Sequence, residues 1–197
     1  MRTFSSAFLI AMLALAAPAL ASDPSTQMPA SPPAGMSQAH LKDLFFDAAR
    51  QGRGDLVSGL IDSGMQPDVR DQHGYTALII AAYNGQAKTV DLLIQKGAKP
   101  CATDAKGNSS LMGVAFKGET AIAQRLIDAG CDVNARNDAG QTALMMAALF
   151  GQTNVVTLLL SHGANAGLQD KSGNTALSLA RQQANTQMAT LLTEAAH

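Results

Sequence analysis

Asp71-Gln72-His73-Gly74-Tyr75-Thr76-Ala77-Leu78-Ile79 returns in altered form as Asn137-Asp138-Ala139-Gly140-Gln141-Thr142-Ala143-Leu144-Met145, two steps of 33 residues downstream. Four series keep that step of 33: Gly74, Gly107, Gly140, Gly173; Thr76, Ser109, Thr142, Thr175; Leu78, Leu111, Leu144, Leu177; and Gly64, Gly97, Gly130, Gly163. A repeat of this length is one supersecondary unit that buries its apolar face only against its neighbours, so the period predicts a solenoid.

Each unit reads as two helices and a projecting turn. Thr76 and its equivalents can accept from the first free N–H groups of a helix whose apolar positions, Leu78, Ala81 and Ala82, follow helical spacing. Gly85, Gly118 and Gly151 can end it, because glycine enters the left-handed region without a Cβ clash. A second helix follows, with stripes such as Val90, Leu92, Leu93 and Ile94, or Val155, Leu158, Leu159 and Leu160. The stretch from Asp132 to Gly140 is rich in turn formers and is expected to project as a hairpin, with Asp132, Asn134 and Asn137 forming turns.

From about residue 40 to 197 the chain resembles the ankyrin repeat family. The family pattern of Asp, two variable residues, Gly, one variable residue and Thr-Pro-Leu-His is met at Asp71–Ile79 and again at Asn137–Met145, and its closing Gly-Ala-Asp-Val-Asn-Ala is echoed from Gly130 to Ala135. Ala replaces the proline in most units, and Ile79, Met112, Met145 and Ser178 stand where the family often has His. The resemblance implies an all-α repeat solenoid of helix-turn-helix units with β-hairpins. Stepping back 33 residues from Leu78, Ala81, Ala82 and Gly85 reaches Phe45, Ala48, Ala49 and Gly52, an N-terminal unit without its hairpin that Ser37 can cap. Stepping forward from Gly151 reaches Ala184 in a terminal unit loaded with Arg181, Gln182, Gln183, Asn185 and Gln187. Within a repeat domain of 39–197, the expected units are an N-cap at 39–70, repeats at 71–103, 104–136 and 137–169, and a C-cap at 170–197. Polar end units argue against end-to-end stacking, and a monomer is expected.

Arg2 followed by the apolar run from Ala7 to Leu20, ending Ala19-Leu20-Ala21, has the layout of a secretory signal peptide with cleavage after Ala21. Pro18 interrupts the run, and its length falls short of the roughly 20 residues that span a bilayer, so no stable membrane anchor is expected. Residues 22–38, with Pro24, Pro29, Pro32 and Pro33, read as a flexible linker. Lys and Arg number 14 against 15 Asp and Glu, for a formal charge of −1, and no basic block occurs, which argues against nucleic acid and anionic membranes as partners.

No phosphate-binding loop, nucleophile elbow or His-Glu-x-x-His helix is present, and no enzymatic activity, metal or cofactor is expected. His40, His73, His162 and His197 are scattered, and His162 falls in the last turn of a helix, where it suits the dipole. Asn108-Ser109-Ser110 matches a glycosylation sequon but overlaps a helix cap. Met112, Met145, Met146 and Met188 fall at core positions, where methionine fills gaps.

Cys101 and Cys131 leave three alternatives open: a disulfide, two unpaired thiols, or a redox pair. Export favours a bridge. Register weighs against it, since Cys101 corresponds to Asn134 while Cys131 lies three residues earlier in its own unit, and unpaired buried thiols are the leading expectation.

In the ankyrin family, hairpin tips and first-helix ends form a concave face for protein partners. Carried over by register, that face comprises Gln72, His73, Tyr75, Lys106, Asn108 and Gln141 at the tips, and Tyr83, Asn84, Phe116, Lys117, Leu149 and Phe150 at the helix ends. Tyr83, Phe116 and Leu149 lie one period apart and are expected to form an apolar ladder of binding anchors. The expected function is a non-enzymatic protein-protein interaction module. Similarity to exported bacterial ankyrin-repeat proteins implies the periplasm as destination and an antioxidant enzyme such as catalase as a partner class. The alternative is a redox or peroxide-protection factor acting through its own Cys or Met residues.

Overall fold

A computed structural model describes residues 37–195; the expected signal peptide, nearly all of the linker, and His197 lie outside the described residues. Five helix pairs follow one another: α1 Gln38–Gln51 with α2 Gly54–Asp62, α3 Ala77–Tyr83 with α4 Ala87–Gln95, α5 Ser110–Lys117 with α6 Thr120–Asp128, α7 Ala143–Leu149 with α8 Thr153–Ser161, and α9 Ala176–Gln182 with α10 Thr186–Glu194. The chain is thus a helical repeat solenoid. No described helix is long and apolar enough to cross a membrane. The Ser37 hydroxyl accepts from the His40 N–H and opens α1 at Gln38, the cap expected there.

The caps explain why each first helix starts where it does. Thr76, Ser109, Thr142 and Thr175 accept from the N–H groups of Ile79, Met112, Met145 and Ser178 at 3.2–3.3 Å. Thr76, Ser109 and Thr142 are themselves buried, so the same bonds satisfy polar groups removed from water. Gly52, Gly85, Gly118 and Gly151 end the first helices at positive φ, and Ala184 adopts φ 54° at the equivalent place in the last unit.

First helices pack in one row, α1 on α3 on α5 on α7 on α9, and second helices α2, α4, α6 and α8 in another. The first row is the more closely packed, and the stack therefore curves toward it. Small residues permit that approach: Ala49, Ala81, Ala82, Ala115, Ala147, Ala148 and Ala180 are fully buried between successive layers. Larger side chains, including Leu78, Leu111, Leu144, Leu93, Leu126 and Leu159, fill the space between the rows. Each contributes about 1.5–3 kcal/mol by leaving water. Met112, Met145, Met146 and Met188 are buried among them, as expected of gap fillers. On the second-helix side, Lys96 pairs with Asp62 and Arg125 with Asp91, linking neighbouring units.

The projecting segments differ from the expected β-hairpins. Among the described residues the only β-type pairing is an isolated bridge between Thr103 and Ser109. A side chain replaces the missing ladder. Asp71 Oδ1 accepts from the N–H groups of His73 and Tyr75, Asp104 from Lys106 and Asn108, Asn137 from Ala139 and Gln141, and Asp170 from Ser172 and Asn174. These amides are satisfied within one turn and need no partner strand. Successive tips join through the main chain, as Ala105 N–H donates to His73 O, Asp138 N–H to Lys106 O, and Lys171 N–H to Ala139 O. Arg70 and Arg136 add side-chain bonds, each reaching carbonyls of its own tip and the next (Gly74 and Thr103; Gly140 and Gln169).

Cys101 and Cys131 form a disulfide, with Cα atoms 5.2 Å apart, which corrects the expectation of unpaired thiols. The loops after the second helices stack obliquely. Asp68 accepts from Lys99 N–H and Asn134 from Asn165 N–H, each 31 residues on rather than 33. Cys101 occupies the register position of Asp68 and Asn134, so a partner about 30 residues later lies beside it. The bridge stands where the neighbouring units use a side-chain hydrogen bond.

Candidate functional site

The curved side carries the first-helix C-termini and the turn tips. The C-terminal ends of α3, α5 and α7 bring their rings into contact in one row. Tyr83 stacks on Phe116 with centroids 6.0 Å apart and planes 16° apart, and Phe116 meets Phe150 at 4.2 Å in a T-shaped contact. Lys117 lays its ammonium 5.2 Å from the Tyr83 centroid. The third rung is therefore Phe150 and not Leu149. Leu149 is half-buried and packs on the core, while Phe150, at the C-cap, is 41% exposed and leans on Phe116. Aromatic pairs of this kind contribute roughly 0.5–1.5 kcal/mol beyond their burial, so the ledge is held in shape before anything binds.

Several tip residues are tied into the scaffold. Asn108 donates from Nδ2 to Asp104 Oδ2 and accepts from Asn137 Nδ2 at 2.7 Å; Gln141 accepts from the same Asn137 amide. The sequon amide at Asn108 is thus engaged in turn contacts. Asn84 donates to Ile80 O and closes α3. Gln72, His73 and Lys106 are exposed at the tips, and the His73 ring lies 5.9 Å from that of Tyr75. His162 Nδ1 is 2.9 Å from Leu158 O at the end of α8, the expected helix-terminal role.

Between the first two full repeats the face opens into a slot. Tyr75, Tyr83, Asn84 and Asn108 line it, as do four side chains absent from the sequence-derived set, Ile79, Ile80, Asp104 and Ser109, together with Gly113. Gly113 had a sequence signal: it breaks a series that reads Ile80, Met146 and Leu179 in the other units after the N-terminal one. Burial raises the ionisation of the Tyr75 phenol above its ordinary range, and the negative fields of Asp104 and Asp71 add to it; burial alone raises that of Tyr83. Both phenols remain neutral donors at physiological pH.

The chain's two cysteines are joined in the disulfide, and the named core methionines are buried. The family model described as ankyrin repeats, in three copies, matches residues 40–104 and 111–197. A search of curated proteins finds no match.

Proposed function

We propose, on the premise that the chain belongs to the ankyrin-repeat family, that it acts without enzymatic activity as an exported module binding another protein through its curved face. Ankyrin repeats are protein-protein interaction modules; the partner and the compartment are what this reading adds. The observation that carries it is the continuous ledge of Tyr83, Phe116 and Phe150, pre-ordered by ring contacts and open to solvent at Phe150. Rigid, partly exposed aromatics lose little freedom on binding and dominate interface energetics. Export is supported by the leader-like Arg2 and Ala7–Ala21 segment, with the periplasm as the corresponding compartment, and an antioxidant enzyme such as catalase is the candidate partner class.

The test is crosslinked capture from the exported fraction with wild type and the Tyr83→Ala, Phe116→Ala double variant, with thermal unfolding as the control for folding. A partner captured by the wild type and lost from the folded variant supports the assignment. Equal capture by both moves the binding surface off the ledge.

A further inference from the structure

The slot beside the ledge has a chemistry of its own. Gly113 lies inside α5 where the units from Asp71 onward otherwise place Ile80, Met146 and Leu179, and the missing side chain creates the recess. Tyr75, Tyr83 and Ile80 make apolar walls. The lining also includes Asp104, only 8% exposed. Its Oδ1 accepts from two backbone N–H groups, but its Oδ2 accepts only from Asn108 Nδ2, leaving capacity for another donor. No salt bridge within the described residues reaches Asp104 or Asp71. Arg70 spends its guanidinium on the carbonyls of Gly74 and Thr103, and Lys106, two residues from Asp104 in the same turn, is exposed at the tip.

An apolar slot with aromatic walls and a carboxylate removed from water in its lining matches a side chain with a long aliphatic stem and a cationic head. We propose that the slot receives one basic side chain of the bound partner, arginine or lysine, its stem along Tyr75, Tyr83 and Ile80 and its head donating to Asp104 Oδ2. This rests on the reading of the curved face as the partner surface. The fields of Asp104 and Asp71 felt by the Tyr75 phenol agree with a site of negative potential. A cation gains more from a carboxylate here than in bulk water, and the Tyr75 ring adds an attraction to its charge, the Tyr83 ring already facing the Lys117 ammonium.

Two variants isolate the features without threatening the fold. Asp104→Asn removes the charge and keeps the turn, because Asn137 already forms the same pair of N–H bonds at the equivalent position. Gly113→Met fills the recess with the residue that Met146 supplies one unit later, and a Cβ at Gly113 meets Tyr83 only at an ordinary 3.7 Å. The probe is N-acetyl-arginine methylamide, titrated into the full chain while amide chemical shifts are followed by NMR, with N-acetyl-leucine methylamide as the apolar counterpart. The expected result is saturable shifts at Gly113 and Asn108 with arginine, binding weakened roughly fivefold or more in Asp104→Asn, and none in Gly113→Met. Leucine binding as tightly as arginine, an Asp104→Asn variant that binds unchanged, or no shift with arginine overturns the proposal. Because no partner is needed, such a failure leaves the capture experiment on Tyr83 and Phe116 standing and is separate from its failure.

Discussion

Ala184 adopts φ 54° at the position where Gly52, Gly85, Gly118 and Gly151 end the earlier first helices. The left-handed region costs an L-residue roughly 1–2 kcal/mol, offset in part by the smaller backbone entropy that alanine loses on folding. Ala184→Gly is therefore expected to raise stability by about 0.5–1 kcal/mol in urea unfolding, and a loss of stability contradicts strain there. This turn was legible in the sequence from the 33-residue step alone. Titration offers a second check at this scale. The hydrogen bond from Arg53 to Asp55, and that from Lys96 to Asp62, hold both carboxyls below their ordinary ionisation range. The unfolded chain then binds more protons than the fold between the lowered and the ordinary values, so stability rises with pH across that window. The contribution is present above the ordinary carboxylate value, about 4, and disappears as pH falls through the lowered one. Chemical unfolding is expected to give a plateau from neutral pH down to about pH 5 and a decline below it, shallower in Asp62→Asn. Both groups are exposed, so salt is expected to shrink the effect.

Among the elements, the turns show both what periodicity reveals and what it hides. The caps Thr76, Ser109, Thr142 and Thr175 follow from residue type and spacing, and each makes the expected bond. The disulfide does not follow, because the 33-residue period describes equivalent positions, whereas contact between stacked loops is set by their slant. The bonds from Lys99 to Asp68 and from Asn165 to Asn134 reveal an offset of 31. Closing a 30-residue loop with Cys101–Cys131 is expected to stabilise the fold by about 3–4 kcal/mol. Cys101→Ala with Cys131→Ala is expected to lose most of this in urea unfolding. Cys101→Asn with Cys131→Ala is expected to lose about 1 kcal/mol less, since asparagine restores the hydrogen bond used at Asn134. Equal stability of the two pairs contradicts the equivalence of bridge and hydrogen bond. The third ledge residue was also misplaced by period alone: Leu149 keeps the step of 33, but its side chain joins the core and the bulkier Phe150 takes the contact with Phe116.

For the whole molecule, the solenoid and its curved face were legible because each unit repeats the same physical solution, and any one unit constrains the others. The slot was not, because it arises where one unit departs from the pattern. Gly113 is conspicuous only against Ile80, Met146 and Leu179, and Asp104 reads as an ordinary turn former until the fold brings it into the lining of the recess. The proposed function thus rests on local features of a regular scaffold, the ring ledge and the recess next to it. The most direct test of that claim is a photo-crosslinking residue placed singly at Phe150 on the ledge and at Thr157 on the exposed side of α8, with adducts identified in the exported fraction. The account predicts a discrete partner adduct from position 150 and none from 157. Adducts from 157 alone, or the same adduct from both, contradict a binding surface on the curved face.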